Sequence, residues 1–195
     1  MATQTDSVDL VGDEVTANIA RAALFAALMG GFAYVSFPNP LAVGVPVTLQ
    51  VLGVFLAGIM LGPVWGAVAM ILYLAAGAVG APVFSGGAAG LGFLIGSPTL
   101  GYLWSYPIAA AVIGLVVHRG VDIRDYAAVS MPILVGAMVA GTTIIYAIGT
   151  IGFAVVQSVS LYEAFLISAV AFIPFEALKI AAAVGIIKSD AIAAA

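Results

Sequence analysis

Charge is what this sequence has least of. Only 7% of its 195 residues are Asp, Glu, Lys or Arg, against about 25% in soluble chains. Five of these (Asp6, Asp9, Asp13, Glu14 and Arg21) fall in the first 21 positions, and none lies between Arg21 and Arg119. So long an uncharged stretch cannot be solvated by backbone groups and hydroxyls alone, which excludes a water-soluble domain. Five basic residues and a net charge of -4 provide no footprint for nucleic acid, whose binding rests on neutralising phosphates. Cysteine is absent, excluding disulfide scaffolds, thiolate metal sites and cysteine nucleophiles. The single histidine, His118, cannot form a zinc or di-iron cluster. Neither an HExxH pair nor a Walker A sequence occurs, so metalloprotease chemistry and ATP hydrolysis by this chain are excluded. The expectation is a non-enzymatic membrane protein without metal or cofactor.

What the chain has in abundance is apolar sequence, 64% of its residues. At about 20 residues per crossing, that is enough for roughly six spans. Residues 1–18 read as an acidic cytoplasmic leader, partly disordered, with no signal-peptide charge pattern. Apolar blocks follow at about 19–36, 45–62, 64–80, 98–117, 127–156 and 162–187, and 188–195 is a short cytoplasmic tail. Phe37-Pro38-Asn39-Pro40 ends the first block. Gly62-Pro63 separates the second from the third, predicting a helical hairpin. Residues 81–97 hold five glycines among uncharged neighbours. They are too apolar for a solvated loop and too glycine-rich for a stable helix, so a loop packed on the bundle is expected. The fifth block is long enough to tilt or to break near Pro132.

The blocks are apolar on both strand phases, which argues for helices over a transmembrane barrel. Six spans bring Arg21, the polar insert with Arg119 and Arg124, and Lys188 to one side of the membrane. The opposite side carries no Lys or Arg, so both termini are expected in the cytoplasm. The predicted fold is an all-α bundle of six transmembrane helices, multi-pass in the cell membrane.

Two ionisable residues lie inside the last span. Glu176 and Lys179 are three apart and share a helix face, and ionisable groups at that depth mark a pathway or a ligand site. A bland alternative is mutual neutralisation, or a lysine reaching for the cytoplasmic surface. Pro174 loosens the helix just before them. Thr48, Gln50, Ser97, Thr99 and Tyr102 gather uncharged hydrogen-bonding groups near the outer ends of their spans, a composition suited to a small, mostly neutral ligand. Tyr73, Trp104 and Tyr106 also suit an interfacial belt, and Thr142 and Thr143 suit helix–helix hydrogen bonding. In the first span, Ala22/Ala26 and Ala23/Ala27 form overlapping small-xxx-small spacings that permit close helix approach, within the chain or with a partner.

Several segments then resemble one family. Val45-Pro46-Val47-Thr48-Leu49-Gln50 with Leu61-Gly62-Pro63, Ala81-Pro82-Val83-Phe84-Ser85-Gly86-Gly87 with Gly90-Leu91-Gly92, and Gly96-Ser97-Pro98-Thr99-Leu100-Gly101-Tyr102-Leu103 are similar to motifs of the BioY family. This family comprises the biotin-specific S components of energy-coupling-factor (ECF) transporters. Pro174-Phe175-Glu176-Ala177-Leu178-Lys179 resembles its P-x-D-x-x-K, with Glu where the family usually has Asp. That departure keeps the charge and lengthens the reach. Ser97 and Leu100 also depart from the family's GPTGG core.

The resemblance implies a six-helix subunit whose outer loops cover a vitamin site, partnered by a transmembrane coupling protein and two ATPases. It implies substrate-binding roles for Glu176, Lys179, Gln50, Thr48, Tyr102, Phe84 and Ser97, and a partner interface at Ala22, Ala23, Ala26 and Ala27. Biotin offers a neutral ureido ring, an apolar thiophane and a carboxylate. Glu176 can accept ureido N–H bonds, and Lys179 can either pair with the ligand's acid or orient Glu176. A subunit for another vitamin and a proton-coupled carrier using Glu176 are the alternatives.

Overall fold

The computed structural model describes residues 12–39 and 45–189. Residues 1–11, 40–44 and 190–195 lie outside the described residues. The chain runs through α1 (Asp13–Tyr34), a two-stranded ribbon of β1 (Ser36–Phe37) and β2 (Val47–Thr48), and α2 (Gln50–Ala78). It continues through α3 (Leu91–Gly96), α4 (Leu100–His118), α5 (Met131–Gln157), α6 (Leu161–Ser168) and α7 (Ile173–Ile187). The ribbon is antiparallel, pairing Ser36 with Thr48 and Phe37 with Val47. Among the described residues, five helices are long and apolar enough to cross a membrane: α1, α2, α4, α5 and the 161–187 run containing α6 and α7.

One of those five doubles back. A straight α2 would hold Gln50 and Tyr73 about 34 Å apart at 1.5 Å per residue, yet Gln50 Nε2 donates to Tyr73 OH at 2.7 Å. The reversal is at Gly62, whose φ of 75° and ψ of -178° lie outside helical space, where glycine escapes the Cβ penalty. Pro63 then opens the second arm, a position that needs no N–H. The arms pack closely, because a Cβ on Gly66 would stand 2.9 Å from the Ala57 carbonyl oxygen. α2 is thus a hairpin of two antiparallel arms.

Glycine also lets the other backbones meet. A Cβ at Gly58 would strike the Ala110 carbonyl on α4, one at Gly114 would strike the Gly62–Pro63 backbone, and one at Gly101 would strike Ile148 on α5. Membrane helices pack by such small-residue approaches because lipid provides no hydrophobic drive between them. α1 contributes Ala22, Met29 and Ala33 to this core, each fully buried.

Pro132 causes no break. It occupies the first turn of α5, where its missing N–H has no intrahelical acceptor to serve. The break falls in the last run, where a 3₁₀ turn at 170–172 separates α6 from α7 and Pro174 sits in the first turn of α7. The glycine-rich stretch is part loop and part helix. Gly90, with φ of 91°, opens α3, and Phe93 from α3 stacks on Phe84 with ring centroids 5.4 Å apart.

At one end of the bundle the Gly62 bend, the polar insert and the end of α7 meet. His118, which its sequence neighbours place in the insert, is the last residue of α4 and is fully buried. Its Nδ1 accepts the Arg124 N–H at 3.0 Å, so Nε2 carries the proton and donates to the Ile59 carbonyl at 2.9 Å. Lys188 Nζ donates to the carbonyls of Ala127 and Val129 at 2.6 and 2.7 Å. The opposite end gathers the ribbon, the segment 79–99 and the break before α7. There Tyr34 OH donates to the Pro82 carbonyl, Asn39 donates to the Ala171 carbonyl, and Phe37 meets Phe175 edge to face.

Candidate functional site

The break at 170–172 decides where the ionisable pair stands. It places Glu176 in the first turn of α7, where the partial positive charge of a helix N-terminus favours a carboxylate. Glu176 is 3% exposed and Lys179 6%, and Lys179 Nζ donates to Glu176 Oε1 at 2.7 Å. Tyr146 of α5 donates its hydroxyl to the same oxygen, also at 2.7 Å. The Oε2 atom is buried and takes no hydrogen bond among the described residues. A buried charge is costly unless it is paired and hydrogen-bonded. Lys179 and Tyr146 meet that need at one carboxylate oxygen and leave the other open.

Beside this group lies a small cavity of about 40 Å³, lined among others by Thr48, Gln50, Ser85, Tyr102, Tyr146 and Lys179. That is room for no more than a few water molecules. A second, much larger cavity of about 580 Å³ opens between α5 and α6–α7, with Thr142, Tyr146, Ile173, Glu176 and Ala177 in its walls. Tyr146 borders both cavities. Its ring is held edge to face by Tyr102, with centroids 5.6 Å apart, and it leans on Phe172 at 6.0 Å.

The sequence-predicted residues divide into lining and support. Thr48, Gln50, Tyr102 and Lys179 line the small cavity. Thr48 belongs to the ribbon and Gln50 opens α2. Their side chains form a relay in which Thr48 donates to Gln50 Oε1 at 2.9 Å, Gln50 Nε2 donates to Tyr73 OH, and Tyr73 donates to the Val83 carbonyl at 3.0 Å. The relay fastens both arms of α2 to the glycine-rich loop. Tyr102 donates to the Ser168 carbonyl at 2.5 Å, tying α4 to the end of α6.

Phe84 and Ser97 stand behind the lining. Phe84 is fully buried, edge-on to Tyr73 with centroids 5.6 Å apart, and packed where Gly77 leaves room. Its neighbour Ser85 reaches the cavity instead. Ser97 accepts the Thr99 N–H at 3.0 Å and bonds the Thr99 hydroxyl at 2.7 Å, shaping the entry to α4. The sequence points to no role for Phe172, and Tyr146 reads there only as one of the polar groups of the fifth span, not as a partner of Glu176. The available signal for Tyr146 was a tyrosine within an otherwise apolar span, and nothing in the sequence pairs it with a glutamate 30 positions away.

The alanines of α1 face two ways. Ala22 is fully buried and Ala26 packs against the core, whereas Ala23 and Ala27 are exposed. Among the described residues, no group of three or more His, Cys, Asp or Glu could hold a metal ion.

Comparison with known proteins adds four observations. The model described as BioY family matches residues 2–194. A biotin transporter BioY of Rhodobacter capsulatus is 42% identical over 144 residues, which cover 74% of this chain and 73% of that protein. A biotin transporter BioY of Rhizobium etli is 35% identical over 168 residues, covering 84% and 87% respectively. Among solved structures, the S-component for biotin from an ECF-type ABC transporter aligns with a TM-score of 0.79 at 22% identity, covering 92% of this chain and 93% of that one. At that identity the likeness establishes the fold.

Proposed function

This chain belongs to the BioY family and is a multi-pass membrane protein, and on that premise we propose that it is the biotin-binding S component of an ECF-type vitamin importer. It captures biotin from outside and works with a transmembrane coupling protein and two ATPases. The observation that carries this reading is the buried Glu176–Lys179 ion pair, whose lysine lines the small cavity under the outer segments while its glutamate borders the lateral one, in a chain whose relatives are named biotin transporters.

The chemistry suits the vitamin. Glu176 provides an acceptor for the ureido N–H groups, and Lys179 either offsets the ligand's carboxylate or steadies Glu176. Tyr102, with Phe172 beside it, provides an aromatic wall. Thr48 and Gln50 line the site while bracing its roof, and Phe84 and Ser97 support the lining from behind. Small-molecule sites span about 300–1,000 Å³, so the small cavity widens on binding as the segments around Pro46, Ser85 and Phe93 give way.

In this reading residues 19–187 form the membrane domain, with six crossings once the two arms of α2 are counted separately. Both termini are cytoplasmic, because Arg21, Arg119, Arg124 and Lys188 then share the cytoplasmic side. The exposed Ala23–Ala27 side of α1 meets the coupling protein, while Ala22 serves packing within the chain.

Titration of the purified protein with a panel of vitamins tests the function. Tight binding of biotin alone is expected, and no binding of biotin, or preference for another vitamin, overturns the reading. Topology is tested by Asp122→Cys in this naturally cysteine-free chain. The thiol should react with an impermeant reagent only from the cytoplasmic side, and labelling from outside intact cells removes the six-crossing arrangement.

A further inference from the structure

Glu176 presents its two oxygens unequally, and Tyr146 is the reason. A carboxylate oxygen has about two lone-pair sites. On Oε1 both are taken, by Lys179 Nζ and Tyr146 OH, each at 2.7 Å. Oε2 is buried and receives no donor among the described residues. Lys179 alone would not fix the carboxylate, since an ammonium on a flexible stem can serve either oxygen. The tyrosine can. Its ring is clamped between Tyr102 and Phe172, and it approaches from a different helix, so its hydroxyl sets the rotation of the carboxylate about its own axis.

We propose that Tyr146 is a positioning residue that, with Lys179, saturates Oε1 of Glu176 and so makes Oε2 the single carboxylate acceptor for a ligand N–H. This rests on the biotin reading above and adds to it an asymmetry. The two ureido N–H groups diverge, so only one of them meets Glu176. The other finds its partner elsewhere in the site. Recognition of the ring is therefore polarised, with one nitrogen under the control of Tyr146 and the other independent of it.

The test combines one substitution with two ligand modifications. Tyr146→Phe keeps the ring contacts and removes the hydroxyl, and its thermal stability in detergent reports folding separately. Titration with biotin should show about a tenfold loss of affinity relative to the unsubstituted protein, a typical cost for a hydrogen bond to a charged group. The same pair of proteins is then titrated with the two isomers of biotin methylated at one ureido nitrogen. For one isomer the ratio between the proteins should fall to about one, because the N–H that Tyr146 helps to receive is gone. For the other it should stay near ten. Equal ratios for biotin and both isomers would make Tyr146 merely structural and overturn the proposal, as would unchanged biotin affinity in Tyr146→Phe. Failure of the unsubstituted protein to bind biotin would overturn the biotin reading and this inference together, which distinguishes that failure from the others.

Discussion

Between α2 and α4 the backbones touch, whereas between α5 and α7 they stand apart around a cavity of about 580 Å³. On the tight flank, Gly58 faces the Ala110 carbonyl beside the Ile113 side chain, and Gly114 faces the Gly62–Pro63 backbone. On the loose flank, Ile173 and Ala177 border open space and are exposed. The ionisable pair belongs to the loose side, while the relay from Thr48 to Val83 that braces the small cavity is anchored on the tight side. A ligand site benefits from such an arrangement. One wall stays fixed and positions its groups, and the other has room to move when a ligand enters.

The largest expected effect comes from breaking the tight flank. In Gly114→Leu a Cβ must enter the Gly62–Pro63 backbone, which cannot move aside as a flexible side chain would. Overpacking costs about 1–3 kcal/mol and occasionally more, and a backbone obstacle belongs at the upper end. Thermal unfolding in detergent should show a large drop or a failure to accumulate folded protein. The partner experiment is Ala177→Leu on the loose flank, where the added carbons meet lipid or the open cavity and stability should change by no more than about 0.5 kcal/mol. Equal damage at the two positions would abolish the contrast.

Next in size is the effect on binding at the loose flank. Glu176→Gln removes the charge but keeps a carbonyl acceptor, and Lys179→Ala leaves Glu176 buried with only Tyr146 as its donor. Each should weaken biotin by about 1.5–3 kcal/mol, the range for hydrogen bonds to charged groups, measured by titration calorimetry. Biotin amide separates the roles of the lysine. Should Lys179 pair with the ligand's acid, the unsubstituted protein loses affinity for the amide, and Lys179→Ala binds both forms about equally. Should it steady Glu176, the unsubstituted protein tolerates the amide and the variant binds both weakly. Unchanged biotin affinity in both variants would make the pair structural.

How much of this could be read from the residues follows from the range of each signal. The uncharged run between Arg21 and Arg119 and the block lengths spoke for membrane helices because composition is local. The Gly62-Pro63 step coincides with the hairpin bend for the same reason, since one glycine and one proline suffice to turn a chain. The spacing of Glu176 and Lys179 is that of neighbours on a helix, and they are in contact. The rest needed the tertiary arrangement. Tyr146 lies 30 residues from the carboxylate it holds, and His118, which its sequence neighbours put in the polar insert, is buried at the end of α4 with Ile59 and Arg124 as its partners. Whether Ala22 or Ala23 faces the bundle depends on how α1 is rotated, which a repeating Ala pattern does not encode.

The smallest effect should appear inside the lateral cavity, and with the opposite sign. Thr142 borders it, and its hydroxyl oxygen is buried without a hydrogen-bond partner among the described residues. Burying such a group costs about 1–3 kcal/mol. Replacing it by an apolar group of the same shape removes that cost without opening a hole. Thr142→Val is such a replacement, since both side chains branch at Cβ and share rotamer limits in a helix. Stability in detergent should therefore stay level or rise, by at most about 1 kcal/mol, and biotin affinity should not change. Thr143→Val on the same helix is the control, because the Thr143 hydroxyl already donates to the Val139 carbonyl at 2.9 Å. Losing that bond leaves the carbonyl its intrahelical donor and should shift stability by no more than a few tenths of a kcal/mol in either direction. A loss of more than about 1 kcal/mol in Thr142→Val would mean that this hydroxyl is satisfied in the membrane by water or lipid, making the loose flank a wet or occupied groove and not an apolar gap between two helices.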